Sequence, residues 1–143
     1  MSLYILDTDH LTLLRKGHPQ VMERVAKKEA DQIAITIATV DEHLTGWYSQ
    51  LRKARDAESL TKAYDGLFQV VESLRSLRVM PYTLSAAEKY FELRKGFRRL
   101  GKMDLVIAAL VLVSGGTLVT RNRADFEQIP GLTIEDWTQG NSD

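Results

Sequence analysis

Acidic side chains in this sequence stand where apolar runs end and helices begin. Asp7 directly follows the apolar run at 3–6, Glu42 falls in the first turn of the helix after a second apolar run, and Asp104 opens a strongly apolar helix. Carboxylates gathered in one apolar pocket repel one another unless a cation compensates their charge. An oxygen-only ligand set selects Mg²⁺ or Mn²⁺ over zinc. These three carboxylates therefore predict a magnesium-type site.

Further polar side chains accompany the same runs. Asp9 comes two residues after Asp7, while Thr120, Asn122 and Asp125 lie at or after a fourth apolar run. Each acid also has an ordinary structural explanation, as a helix N-cap, a capping-box partner or a surface residue. Those explanations suffice for any one acid alone, and convergence of several acids at one place favours the metal site.

Several other kinds of site are excluded by composition. The chain has no cysteine, so it carries no disulfide, thiolate nucleophile, iron-sulfur cluster or cysteine-based zinc site. His10, His18 and His43 show no metal-ligand spacing, and we assign them no role. Neither a dinucleotide-binding glycine fingerprint nor a phosphate loop is present, and no serine has the context of a nucleophile elbow.

Short apolar runs and helical patterns must position these residues. Strands are predicted at 3–6, 33–37, 77–80 and 117–120, with a possible fifth at 132–134. Helical stretches separate them, which predicts an α/β fold with a parallel sheet of four to five strands and helices on both faces. In such sheets ligands bind outside the carboxyl ends of the strands, where the candidate acids fall.

Helix signals refine this outline. Thr39 with Glu42, and Ser85 with Glu88, have the spacing of capping boxes. The run 105–113 is apolar on every side and should be buried all round, ending at Gly115. A further helix carries apolar residues at intervals of three and four, the pattern of one packed face. These residues are Leu60, Tyr64, Leu67, Phe68, Val71 and Leu74.

Length and composition predict one cytoplasmic domain. The chain has 143 residues, of which 44% are hydrophobic and 27% charged, as in ordinary globular domains, so we expect a single domain over 1–143. The N-terminus lacks the basic region of a signal peptide. The apolar run 105–113 is about half as long as a bilayer span requires, so no membrane partner is expected.

Net charge is zero, which on its face argues against a nucleic-acid binder. The segment 94–102, however, holds five basic residues and no acid: Arg94, Lys95, Arg98, Arg99 and Lys102. The positive charges of a basic stripe and the negative charges of an acidic pocket beside it would together give a net charge near zero. The alternative is a solvated surface without function.

The order and spacing of several segments carry a family resemblance. These segments are 4–9, 35–37 with 42–46, 104–109, 117–126, 129–132 and 136–137. In them the sequence resembles PIN-domain ribonucleases, specifically the VapC-type toxins of bacterial toxin-antitoxin pairs. The resemblance extends over nearly the whole chain and implies a three-layer PIN-like sandwich.

The resemblance also implies an activity and a set of roles. Asp7, Glu42 and Asp104 would hold Mg²⁺ or Mn²⁺, and Asp125 would complete the catalytic acids of an endoribonuclease that leaves 5′-phosphate and 3′-hydroxyl ends. A cognate antitoxin and a homodimer are the implied protein partners. Two positions depart from the family: Asp9 is usually Asn, and Asn122 is Asp in many PIN domains, which leaves one metal ion or two equally compatible with the sequence.

Basic residues near the predicted site would bind the RNA backbone. Lys102, Arg121 and Arg123 are candidates, together with Arg98 and Arg99 of the basic stripe. Phosphate contacts of this kind hold a strand without recognising its sequence.

Two alternatives stay open at the level of sequence. A haloacid-dehalogenase-type phosphatase also begins with Asp-x-Asp after its first strand, but Leu11 stands where that motif has Thr or Val. The second alternative is a non-catalytic PIN-like module that binds RNA or protein, which the retained Asp7, Glu42 and Asp104 disfavour.

Overall fold

Pairs of helices separate the first four strands along the chain, and one short helix separates the last two strands. The computed structural model describes residues 2–140, so Met1 and residues 141–143 of the expected domain lie outside the described part. The strands are β1 (Tyr4–Leu6), β2 (Ile33–Thr36), β3 (Arg78–Met80), β4 (Thr117–Val119) and β5 (Thr133–Glu135). The helices are α1 (Thr8–Arg15), α2 (Pro19–Ala26), α3 (Ile37–Lys53), α4 (Ala57–Leu74), α5 (Leu84–Gly96), α6 (Lys102–Ser114) and α7 (Arg123–Phe126), with a 3-10 turn at Ala30–Gln32.

All five strands run parallel in the order β3-β2-β1-β4-β5, which confirms the predicted sheet. β1 is central, with β2 on one side and β4 on the other. Leu6 pairs with Val119, so β1 and β4 end at the same level. Residues that follow these two strands therefore share one edge of the sheet.

Apolar side chains cover both faces of the sheet and give the three-layer arrangement. Ile5 and Leu118 belong to one buried cluster, which includes side chains of α5 and α6. Their neighbours Leu6 and Val119 belong to a second cluster, which includes side chains of α1 and α2 and the buried Trp137. Adjacent residues separate in this way because successive side chains of a strand point to opposite faces.

Two predicted helix starts are wrong by a few residues. α3 is capped by Thr36, whose hydroxyl oxygen accepts a hydrogen bond from the Thr39 N–H at 3.2 Å. α5 is capped by Thr83, which accepts from the Ala86 N–H at 3.1 Å. At both places the chain turns into a helix as soon as the preceding extended segment ends. Neither Thr39 nor Ser85 is therefore a cap, and neither predicted capping box forms.

Helix α6 is the buried apolar helix that the sequence predicted. Leu105 and residues 107–111 are buried, but Val113 is 40% exposed, so the expectation of burial on every side fails at the end of the helix. Gly115 ends α6 in the left-handed conformation at φ 73°, as a glycine C-cap should. Within residues 2–140, no helix combines the length and the apolar character needed to cross a membrane.

Helix α4 packs through its small residues rather than through its large apolar ones. Ala63, Gly66 and Val70 are the buried residues of α4. The predicted packing face is largely exposed, with relative exposures between 45% and 59% at Leu60, Tyr64, Phe68 and Val71. Gly66 explains the difference, because an added Cβ there would come within 2.2 Å of the Trp47 ring on α3. The α3–α4 pair therefore requires a small residue at its contact.

Candidate metal centre

Asp7 is held firmly where β1 ends. Its backbone N–H donates to the Val119 carbonyl at 3.0 Å, which continues the β1–β4 ladder by one bond. Its side chain caps α1, with Oδ1 accepting from the His10 N–H at 2.7 Å. The carboxylate thus has the capping role that the sequence offered as a structural explanation, and it lies at the carboxyl edge of the sheet.

Glu42 is tied to the residue after Asp7. It lies in the second turn of α3, one turn later than predicted, because α3 begins at Ile37. The Thr8 hydroxyl makes a short hydrogen bond to Glu42 Oε1 and lies 3.3 Å from the Thr39 hydroxyl. These contacts join the start of α1 to α3 and orient the Glu42 carboxylate toward the end of β1.

The negative charges of three other carboxylates act on Asp104. It is the third residue of α6, which is capped by Gly101, so Asp104 is not the helix cap. Burial raises the pKa of Asp104, and the negative charges of Asp125, Glu42 and Asp7 raise it further. These charges act on Asp104 from three other elements, but the acidic and histidine ligand atoms that lie within 4.8 Å of one another in residues 2–140 are those of Asp7, Asp9 and His10. The raised pKa reflects repulsion of the kind that a bound cation relieves.

Asp125 belongs to a local network after β4. Its Oδ2 accepts from the Asn122 side-chain amide at 3.0 Å, and the Asn122 N–H donates to the hydroxyl of buried Thr120 at 3.0 Å. Asn122 therefore orients Asp125.

Asp9 lies close to Asp7 but is paired with a basic residue. It binds Arg121 through two hydrogen bonds, of 2.7 Å from Nε and 2.9 Å from Nη2. Both side chains are about half exposed. The additional negative charge at position 9 is thus balanced by Arg121 and does not join the cluster around Asp104.

Some of the predicted RNA-binding residues form ion pairs with carboxylates and others do not. Arg121 is paired with Asp9, and Arg123 with Glu127 at 3.1 Å. Arg98, Arg99 and Lys102 are exposed, and across residues 2–140 none of them has a carboxylate oxygen within 4.0 Å.

The basic stripe spans the end of α5, the loop after it and the start of α6. Arg94 and Lys95 end α5, Arg98 and Arg99 lie between α5 and α6, and Lys102 opens α6 two residues before Asp104. The sequence alone did not indicate this break in the helix.

The histidines have structural partners that the sequence did not indicate. His43 contacts Arg15 at 3.1 Å and the Thr8 carbonyl at 3.4 Å, and burial lowers its pKa, so a neutral ring joins α1 to α3. His10 is fully buried, and its ligand atoms and those of Asp7 and Asp9 lie within 4.8 Å of one another. No spacing rule in the sequence marks either histidine, because their partners come from distant segments.

A groove of about 630 Å³ reaches the acidic cluster at Thr8 and Glu42. It lies between α1, α3 and α4, and His43, Trp47 and Lys62 contribute to its walls. Of the four carboxylates, Glu42 lines the groove, whereas Asp7, Asp104 and Asp125 do not.

Known proteins similar to this chain match it over nearly its whole length. The sequence model of the PIN domain matches residues 4–132. A tRNA(fMet)-specific endonuclease VapC of Salmonella typhimurium is 28% identical over 142 residues, covering 96% of this chain and 99% of the relative. Ribonuclease VapC2 of Rickettsia felis is 27% identical over 143 residues, covering 94% of this chain and 98% of the relative.

Solved structures agree with this similarity. DNA-bound VapBC from Salmonella typhimurium matches with a TM-score of 0.78 at 27% identity, covering 96% of this chain and 99% of that one. VapBC2 from Rickettsia felis, bound to a DNA fragment from its promoter, matches with a TM-score of 0.75 at 25% identity, covering 94% and 98%. The haloacid-dehalogenase alternative is not favoured by these matches. The chain belongs to the PIN domain family.

Proposed function

We propose that the chain is a Mg²⁺- or Mn²⁺-dependent endoribonuclease and the toxin of a toxin-antitoxin pair. The observation that carries the proposal is the raised pKa of Asp104, caused by burial and by the charges of Asp125, Glu42 and Asp7. A bound cation would offset the repulsion that contributes to this raised pKa. Relatives named as ribonucleases and an endonuclease, similar over nearly their full length, support RNA as the substrate.

The donor set fits a hard cation. Asp7, Glu42 and Asp104 would hold Mg²⁺ or Mn²⁺ through oxygen alone, and Asp125 would act from outside the ligand set. When bound, the ion lowers the pKa of a water molecule and polarises the phosphodiester. The chain's own contribution is orientation: Thr8 fixes Glu42, and Asn122 fixes Asp125.

RNA would be held by the unpaired basic residues. Arg98, Arg99 and Lys102 offer their charge to phosphates directly, whereas Arg121 and Arg123 would have to leave Asp9 and Glu127. This arrangement favours the α5–α6 loop as the main phosphate contact and assigns the two paired arginines a secondary part.

Protein partners are the second half of the proposal. The similar solved structures are VapBC complexes, which supports a cognate antitoxin as a partner of this chain. Helices α4 and α5 expose several large apolar side chains, among them Tyr64, Phe68, Leu84 and Phe91. Exposed apolar patches often mark protein–protein interfaces, so these side chains support antitoxin binding and a homodimer.

Incubation of the purified protein with RNA tests the activity. We expect cleavage into 5′-phosphate products with Mg²⁺ or Mn²⁺ and none in excess EDTA, with Asp7→Asn as the inactive control. Full cleavage in EDTA would contradict the metal site. RNA binding without cleavage would identify a non-catalytic module, and hydrolysis of p-nitrophenyl phosphate without RNA cleavage would identify a phosphatase.

A further inference from the structure

We propose that the groove between α1, α3 and α4 is a subsite for one unstacked nucleotide of single-stranded RNA. Its base would lie against Trp47 and its phosphate near Lys62. The inference rests on the proposed function, since it names the part of the substrate that is held beside the same acids. Glu42 lines the groove whereas Asp7 and Asp104 do not, so the groove lies next to the acids and does not enclose them.

One face of α3 forms the floor of the groove. Glu42, Gly46 and Gln50 all line it. They are spaced four residues apart and therefore lie on the same side of the helix. At a rise of about 1.5 Å per residue, this face extends about 12 Å from Glu42 to Gln50. A ligand on this face would reach from the acids along α3.

Gly46 keeps this face open. A glycine inside a helix is less favourable than an alanine. Nothing lies within 4 Å of a Cβ added at Gly46, so packing inside the protein does not require glycine there. Gly66 is the contrasting case, because its Cβ would overlap the Trp47 ring. The open space over Gly46 is therefore room for a ligand between Glu42 and Gln50.

Trp47 gives the groove a flat apolar surface in a fixed orientation. A Cβ added at Gly66 would lie 2.2 Å from Cδ2 and 2.3 Å from Cε2 of Trp47, the two atoms at which its rings are fused. Those atoms are approached this closely only from above the ring plane, so Gly66 covers one face of the indole. The rest of the ring is partly exposed and lines the groove. Stacking on aromatic side chains is how proteins hold the bases of single strands.

Lys62 supplies a positive charge beside this ring. It lies one helical turn before Gly66 on α4, on the same side of the helix, and it is exposed. Across residues 2–140, no carboxylate oxygen lies within 4.0 Å of its ammonium group. Lys62 is therefore free to bind a phosphate of a nucleotide whose base contacts Trp47.

The remaining walls favour a nucleotide over an apolar segment of a protein. They carry hydroxyl, imidazole and amide groups, on Thr12, Ser59, His43 and Gln50. An apolar segment would remove water from these groups without replacing its hydrogen bonds, whereas a nucleotide offers polar groups on base, ribose and phosphate. The volume of about 630 Å³ lies within the range of pockets that take ligands of this size. Paired bases are already stacked in a helix, so only a single strand offers a base to Trp47.

Tryptophan fluorescence tests the contact in the wild-type protein. The chain has two tryptophans, and Trp137 is fully buried, so an added ligand can reach only Trp47. We expect a short single-stranded oligouridylate, added in EDTA to prevent cleavage, to quench the fluorescence until binding saturates. An RNA duplex of the same length should not quench it. Trp47→Phe, which keeps only Trp137, should show no quenching by either RNA.

The variant Gly46→Leu tests the open space without a loss of folding. Leucine favours a helix more than glycine does, so the melting temperature should stay level or rise. The side chain would fill the space over α3, and we expect oligouridylate to bind about 5- to 150-fold more weakly, the effect of losing one stacked base. Thr45→Leu is the matched control, because Thr45 is the exposed neighbour of Gly46 and does not line the groove. It should keep wild-type affinity.

The variant Lys62→Gln tests the phosphate contact. It should reduce the slope of log affinity against log salt by about 0.7, the value for one lost contact to a single strand. Lys53→Gln removes the same charge from an exposed lysine outside the groove and should leave the slope unchanged.

The results that would overturn the inference differ from those that would overturn the proposed function. No quenching in the wild-type protein, or wild-type affinity in Gly46→Leu, would leave the groove to a protein partner. Equal quenching by the duplex would show that no unstacked base is bound. A protein that cleaves RNA with Mg²⁺ but shows no quenching keeps the proposed function and loses the subsite. One that shows quenching but no cleavage keeps the subsite and loses the nuclease.

Discussion

At the scale of single residues, the acids of the cluster differ in what else they do. Asp7 is also the cap of α1, so a substitution that removes its side-chain oxygen mixes metal binding with helix stability. Asp104 is neither a cap nor part of an ion pair within the described residues, and its raised pKa shows that the folded protein disfavours its charge. Asp104 is therefore the acid at which function separates most cleanly from folding.

The substitution Asp104→Asn should keep or raise the melting temperature in EDTA. Removing the charge relieves repulsion from three carboxylates, while the favourable effect of an acid in the first helical turn, about 0.3–1 kcal/mol, is lost. Stabilisation by Mg²⁺ should shrink and RNA cleavage should fall by orders of magnitude. Thermal melts with and without Mg²⁺ and a cleavage assay measure the three effects.

Glu58→Gln is the matched control, because Glu58 lies in the first turn of α4 on an exposed surface. It should leave the Mg²⁺ response unchanged. Wild-type cleavage by Asp104→Asn would show that the metal site is assigned wrongly.

The pair of Asp9 and Arg121 gives a second prediction at this scale. Asp9→Asn should leave the melting temperature close to the wild-type value, since an exposed ion pair contributes little to stability. It should strengthen RNA binding, because Arg121 is released and one negative charge is lost. Fluorescence anisotropy with labelled RNA in EDTA measures this, and weaker binding would mean that the Asp9–Arg121 pair itself contacts RNA.

At the scale of elements, the packing of α3 against α4 depends on one glycine. Gly66→Ala should destabilise the protein by about 1–3 kcal/mol, since its Cβ would overlap the Trp47 ring at 2.2–2.4 Å. Gly46→Ala, inside α3, is the control, because nothing lies within 4 Å of its Cβ. That variant should gain about 0.5–1 kcal/mol from helix propensity. Urea unfolding compares the two, and equal stabilities would contradict the close α3–α4 contact.

At the scale of the whole molecule, charge is separated although its sum is zero. Negative charges of several elements act on Asp104, and the unpaired basic residues Arg98, Arg99 and Lys102 lie just before it in sequence. A negatively charged substrate would be attracted to the loop while a cation offsets the acids. The net charge of zero therefore does not argue against nucleic-acid binding by this protein.

Neutralising Arg98 and Arg99 together as glutamines should weaken RNA binding and flatten its salt dependence. Two lost contacts to a single strand reduce the slope of log affinity against log salt by about 1.4. The control is the pair Arg52→Gln and Lys53→Gln at the far end of α3, with the same loss of charge. An unchanged slope in the loop variant would make the loop a solvated surface only.

The sequence by itself determined the parallel α/β sheet, the buried α6 and the position of Asp7 directly after β1, because strand periodicity and strand ends are local properties. It did not determine the helix turns that carry Glu42 and Asp104, because it did not indicate where α3 and α6 begin. Only the tertiary structure decided the caps at Thr36 and Thr83, the exposure of the large apolar side chains on α4, and the pairing of Asp9 with Arg121. It also decided the contact of His10 with Trp137, which lies 127 residues away along the chain. Such contacts join residues that are far apart in the sequence. They form only when packing brings the helices and strands together, so no local sequence pattern predicts them.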